Sequence, residues 1–180
     1  MSAELDDVRQ LYQAARQPRR LKAVIADMDG SLVNVSSIRH YVSGPVKDFD
    51  AFHAASRHCP PNEQALEFCR RHYAAGEVIA VVTARMERHY ETSAGWLDDY
   101  LLPELLAIPR ALYLPVGYDG PIMRPDGLTH SDVSVKRRIY RYLTRHYEIV
   151  AACDDNPSIL PLWEEMGIPE IERIPGWEED

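Results

Sequence analysis

The sequence predicts an α/β fold with a doubly wound parallel sheet, and three observations predict it. Short continuous apolar runs at residues 23–26 and 78–82 have the length of strands buried on both faces. Between such runs lie stretches with apolar residues at helical spacing, so strands and helices alternate as in βαβ units. Three of the strands end in polar clusters: Asp27-Met28-Asp29-Gly30-Ser31, Thr83-Ala84-Arg85 and Asp154-Asp155-Asn156-Pro157. In a parallel sheet these ends share one edge, the edge where ligands bind.

Each element follows in order. Leu5, Val8, Tyr12 and Ala15 have helical spacing, so residues 1–20 read as an N-terminal helix closed by Pro18-Arg19-Arg20. The main domain is then 21–180. Its first strand is followed by an insert at about 34–61, rich in turn signals (Gly44-Pro45, Pro60-Pro61), with a short helix near 48–56. This insert reads as a small lid. Asn62 is placed to cap a helix that stops at Gly76. The second strand, a helix at about 88–102 and a third strand at 111–116 come next. Residues 118–130 read as turns. Ser131 caps a helix to about His146, and a strand follows at 148–153. Pro157 suits the first turn of a helix ending at Gly167, and a last strand is expected around 171–174.

The bulk numbers limit the function classes. A chain of 180 residues with 46% apolar and 27% charged content suits one soluble domain. No apolar run approaches the roughly 20 residues needed to span a bilayer. The acidic start MSAELDDVRQ lacks the basic-then-apolar layout of a secretory leader, so cytoplasm is the expected location. Cys59, Cys69 and Cys153 read as free thiols. A net charge of −8 disfavours a large nonspecific nucleic-acid footprint but allows a local basic patch. Arg137, Arg138, Arg141 and Arg145 on one helix are the candidates, and a solvated face is the plainer reading. His58, Cys59, Cys69 and His72 lack a tight CxxC pair and make a weak zinc site.

The chemistry lies at the strand ends. Asp27 and Asp29 are one residue apart at the mouth of a buried strand, where carboxylates repel unless a cation or proton intervenes. A hard divalent ion such as Mg²⁺, held by one or two carboxylates and phosphate oxygens, answers that repulsion. Asp154 and Asp155 bring further carboxylates, Thr83 a hydroxyl and Arg85 a guanidinium. Lys136 borders the apolar face of its helix and can reach the same crevice. Positioning plus charge stabilisation of this kind is what phosphoryl transfer needs, and an aspartate can attack as nucleophile.

The order Asp27-Met28-Asp29-Gly30-Ser31, Thr83, Lys136, Asp154-Asp155 resembles that of haloacid dehalogenase (HAD)-like phosphatases, with Ser31 where Thr is commoner. YVSGPVKDFDAF, TARMERHYETSAGWL, MRPDGLTHSDVSVKRRIY and ACDDNPSILPLWEEMGI resemble the phosphatase domain of phage-type polynucleotide kinase. No GxxxxGK[ST] loop occurs, so the resemblance carries no 5′-kinase activity. It implies a Rossmann-like core and a Mg²⁺-dependent phosphatase acting through an aspartyl-phosphate on a nucleic-acid 3′ end or nucleotide. Asp27 would then be the nucleophile and a metal ligand. Asp29 would be the acid and base, its backbone carbonyl on the metal. Thr83 and Lys136 would hold the phosphoryl group. Asp154 would bind metal with Asp155 in support, and Arg85 would sit beside the phosphate. Gly30, Ser31 and Lys47 are further candidate substrate contacts. A phosphatase of small metabolites or free nucleotides, and an idle binding protein on the same fold, are the rival expectations. The sequence says nothing of oligomeric state.

Overall fold

The computed structural model describes residues 20–110 and 115–176. The helix expected near the N-terminus lies outside them. Five parallel strands form one sheet: β1 (Leu21–Asp27), β2 (Val78–Met86), β3 (Tyr118–Arg124), β4 (Tyr147–Asp154) and β5 (Glu170–Arg173). Their order is β3-β2-β1-β4-β5. The winding reverses between β1 and β4, and a crevice opens at the carboxyl ends of strands at such a point.

Side-chain period two splits β1 between two cores. Val24 and Ala26 face one side, where they pack with α3 (Glu63–Ala74), α4 (Tyr90–Leu106) and the insert, through Leu66, Phe68, Trp96 and Leu97. Ala23 and Ile25 face the other, against α5 (Asp132–Leu143) and α6 (Leu160–Glu165), through Val135, Ile139, Leu162 and Trp163. Both faces are therefore covered, and the strand runs are apolar throughout for that reason. No helix among the described residues is long and apolar enough to cross a membrane.

The caps fall where the residue types place them. The Asn62 side chain accepts from the Gln64 N–H (3.2 Å), and Ser131 Oγ accepts from the Ser134 N–H (3.4 Å). The insert forms a 3-10 turn (Ser36–Ile38) and two helices, α1 (His40–Ser43) and α2 (Phe49–Ser56), the latter capped by Asp48. Its ends meet. The Asn34 N–H donates to the Pro60 carbonyl (2.9 Å) and the Asn62 N–H to that of Leu32 (2.9 Å), so the insert is a closed excursion from the sheet edge.

Two expectations are corrected. Residues 118–124, in the stretch that read as turns, form a strand, Tyr118–Arg124; of the strand expected at 111–116, residues 111–114 lie outside the described residues. Asp119-Gly120-Pro121 imitates a turn, but β3 is an edge strand, where the missing proline N–H leaves no ladder bond unmade. Pro157 does not open a helix. The Asn156 side chain accepts from the Ser158 N–H (2.9 Å), the chain turns once more, and α6 starts at Leu160 beside Pro161.

Candidate active site

Register sets the site. Asp27 pairs with Val82 of β2, so Thr83 is the next residue along the edge, and Ala26 pairs with Cys153 of β4, so Asp154 lies beside Asp27. Lys136 reaches them from α5. Its Nζ is 2.6 Å from Asp27 Oδ1 and 2.6 Å from Asp154 Oδ2. Trp163 Nε1 donates to Asp154 Oδ2 (3.2 Å) and the Asn156 N–H to Oδ1 (3.1 Å), which fixes that carboxylate. One oxygen each of Asp27, Asp154 and Asp155 lies within 4.8 Å of the others, a grouping able to hold a metal ion.

Motif one turns sharply to present these groups. The Leu32 N–H returns to the Asp27 carbonyl (3.2 Å) and the Val33 N–H to that of Met28 (2.8 Å). Gly30 takes φ +86°, and a Cβ there would sit 2.0 Å from Asp155 Oδ2. Glycine is thus required both for the turn and for the approach of Asp155. Ser31 is fully buried and donates to Asp155 Oδ1 (3.0 Å). It supports the second acidic motif and does not line the cavity. The turn also receives the C-terminal segment, where a Cβ on Gly176 would meet the Gly30 carbonyl at 2.0 Å.

The second acid of motif one faces elsewhere. Asp29 is gripped in bidentate fashion by Arg85, with Nε donating to Oδ2 at 2.7 Å and Nη2 to Oδ1. Arg85 is 2% exposed and also donates to Ser93 Oγ (3.0 Å) and Ser56 Oγ (2.9 Å), while its N–H donates to Thr83 Oγ1 (3.2 Å). His53 Nδ1 stands 3.8 Å from Asp29 Oδ2.

The electrostatics differ between the two acids. Burial pushes the Asp27 carboxyl well above its usual range; Asp154 and Asp155 add to this and Lys136 opposes it. Burial, then Asp154, pushes Asp155 up to about 6. Burial disfavours the Lys136 ammonium, but the Asp154 and Asp27 carboxylates outweigh it, and Lys136 stays charged. Burial also works to raise Asp29, yet the Arg85 guanidinium overcomes it and holds that carboxyl below its usual value. In the fold its governing partner is an arginine. Burial, with Arg85 and His89, pushes His53 down to about 4.

These groups line a cavity of about 490 Å³. Asp27, Asp29, Thr83, Arg85, Lys136 and Asp155 form its charged floor, and Val42, Lys47, Phe49, Phe52 and His53 of the insert form one wall. Arg88, His89 and Arg124 border it. The sequence reading missed His53, Ser56, Ser93, Phe49 and Trp163. Only the helical spacing of Phe49 and His53 hinted at a shared face. Of the expected basic stripe, Arg137 is paired with Glu165 (2.6 and 2.7 Å). His72 pairs with Glu77 (2.6 Å), and among the described residues no His/Cys metal cluster forms.

Comparison with known proteins then decides the family. Residues 21–172 match the phosphatase domain of polynucleotide kinase PNKP. The chain belongs to this family. It is a HAD-like phosphatase of the polynucleotide-kinase branch, a phosphoric monoester hydrolase. Among solved structures, a chain of the Pnkp1/Rnl/Hen1 complex superposes with TM-score 0.65 at 16% identity, over 88% of this chain and 47% of that one. A chain of the Pnkp1/Rnl/Hen1 RNA repair complex gives TM-score 0.65 at 16% identity, over 86% and 42%. The chain thus spans less than half of those relatives. The class C acid phosphatase of Bacillus anthracis with tungstate bound gives TM-score 0.56 at 11% identity, over 96% and 74%. At these identities the likeness is one of fold. A search of curated protein sequences returns no match.

Proposed function

We propose that this HAD-like phosphatase is a Mg²⁺-dependent phosphomonoesterase that works through an aspartyl-phosphate on Asp27 and removes 3′-phosphates from nucleic-acid ends or nucleotides. The observation that carries the chemistry is the buried group of Asp27, Asp154 and Asp155 joined to Lys136 at the switch point. Family membership and the relatives in an RNA repair complex support the substrate class.

The donor set fits the ion. Three carboxylates converge against one lysine and all the donors are hard oxygens, a set that suits a hard divalent cation. Asp27, Asp154 and the Asp29 backbone carbonyl would hold Mg²⁺ with Asp155 in support; when bound, Mg²⁺ offsets the carboxylates and draws charge from the phosphoryl oxygens.

The chain's own groups do the rest. An Asp27 oxygen attacks phosphorus as the P–O bond to the substrate alcohol breaks. Asp29 gives the departing alkoxide a proton. It then takes one from water, whose oxygen attacks phosphorus and releases Asp27 and inorganic phosphate. Thr83 and Lys136 donate to the phosphoryl oxygens. Arg85 is the exchange point. An incoming phosphate competes with Asp29 for the guanidinium, and an Asp29 freed from Arg85 holds a proton more readily. Lys47 on the insert wall is the further proposed contact, while Gly30 and Ser31 position Asp155 and do not touch substrate. The insert acts as a small lid that leaves room for a bulky end. The acidic net charge of −8 is the observation that favours the second reading, a phosphatase of small metabolites or free nucleotides.

One side-by-side assay tests both. Initial rates are measured with Mg²⁺ and in excess chelator on a 3′-phosphorylated oligonucleotide, a 3′-mononucleotide, a 5′-mononucleotide and a sugar phosphate. The proposal expects Mg²⁺-dependent preference for the two 3′-phosphates. Preference for the sugar phosphate selects the second reading, and undiminished rates in chelator overturn the metal.

A further inference from the structure

We propose that the insert carries a nucleobase-stacking subsite on Phe49, an inference that rests on the phosphatase reading above and specifies its substrate. Phe49 opens α2 and lines the cavity, yet 51% of its surface is exposed. Its ring stacks on the His53 imidazole one turn on, with centroids 6.3 Å apart and 28° between planes. His53 in turn lies 4.6 Å from the His89 ring. Phe49 is therefore the outer end of an aromatic row, with its other side open to solvent.

The inner end of the row meets the acids. His53 Nδ1 is 3.8 Å from Asp29 Oδ2, and the next step, His53 to Phe49, is 6.3 Å. Phe49 and the charged floor line one cavity, so a phosphate at the floor and a planar base on Phe49 fit a single substrate molecule. Val42 and Phe52 extend the apolar wall. Lys47 borders it, exposed and with no ion-pair partner among the described residues, whereas Arg88 and Arg124 are held by Asp50 and Asp132. The wall thus offers a π face and a spare cation, which suits a heterocycle carried on a sugar phosphate. Stacking on one aromatic tolerates every base, so discrimination among bases should be weak.

The test compares kcat/KM for adenosine 3′-monophosphate and glycerol 2-phosphate, with Mg²⁺, in the wild type, Phe49→Ala and Phe49→Tyr. The nucleotide-to-glycerol-phosphate ratio should fall about tenfold in Phe49→Ala, as for loss of one base–aromatic stack, and return to within about twofold in Phe49→Tyr. An unchanged ratio in Phe49→Ala overturns the subsite, as does a loss that Phe49→Tyr fails to restore. A wild type that cleaves neither compound overturns the phosphatase reading instead. Calorimetric binding of the same two compounds to the same three proteins then decides the subsite, by the same ratio.

Discussion

The floor and the insert wall of the cavity are built by opposite means. The floor is made of strand ends and α5, and its charged groups are sunk in the sheet: Asp27 is 5% exposed, Lys136 3% and Asp154 0%. Each is held by a second buried group. The wall is made of short helices outside the sheet, with Phe49 and Lys47 largely in water and Asp50 paired to Arg88 at the surface. A buried charge network is costly to break, whereas exposed pairs contribute little. The floor is therefore suited to fixed chemistry and the wall to choosing what enters. Substitutions in the two regions should separate kcat from KM.

Asp27→Asn should show the largest effect. The proposed nucleophile is lost while shape and most packing remain, so turnover of a generic aryl phosphate should vanish with far-UV circular dichroism unchanged. Near-wild-type hydrolysis by this variant would remove Asp27 from the role and leave the floor without a nucleophile.

Lys136→Met comes next and has two signatures. The cation 2.6 Å from both Asp27 and Asp154 is removed from a fully buried position. A donor aimed at phosphoryl charge is worth about 10²-fold or more in kcat. Without metal, the two carboxylates are also left facing each other, a loss of about 3–5 kcal/mol for a broken buried pair. Saturating Mg²⁺ should narrow that stability gap, because an ion on Asp27 and Asp154 replaces the lost charge. A kcat loss under about threefold would show that another cation does the work. A Tm that Mg²⁺ leaves unchanged in both proteins would show that the carboxylates do not bind it.

The floor was legible in the sequence and the wall was not, for a physical reason. Parallel strands bring their carboxyl ends to one edge whatever the helices do, so Asp27, Thr83 and Asp154 meet by topology alone. Lys136 followed from its place at the border of an apolar helix face. The grip of Arg85 on Asp29 depends on a rotamer and on Ser56 and Ser93 from two other elements, which no local pattern encodes. Ser31 was read as a substrate contact because motif order places it beside the acids; in the fold it turns inward to Asp155. β3 escaped because a proline-containing edge strand has the composition of a turn. Trp163 carries no local sign that its indole N–H reaches Asp154, nine residues earlier.

Ser56→Ala should give the smallest effect and tests the seam between the two regions. Ser56 belongs to α2 of the insert but is 1% exposed. Its Oγ accepts from Arg85 Nη2 (2.9 Å) and donates to the His53 carbonyl (2.7 Å). Alanine removes one of several bonds to a buried guanidinium that keeps Asp29 and Ser93, so the cost should be about 1 kcal/mol, or ~2–4 °C in Tm. If the wall serves mainly binding and the floor mainly chemistry, the looser Arg85 should raise KM severalfold for a 3′-nucleotide and leave kcat within about twofold. A kcat loss approaching that of Lys136→Met would place the insert serine, through Arg85, in the chemical step. The division between floor and wall would then run through α2 rather than between α2 and the sheet.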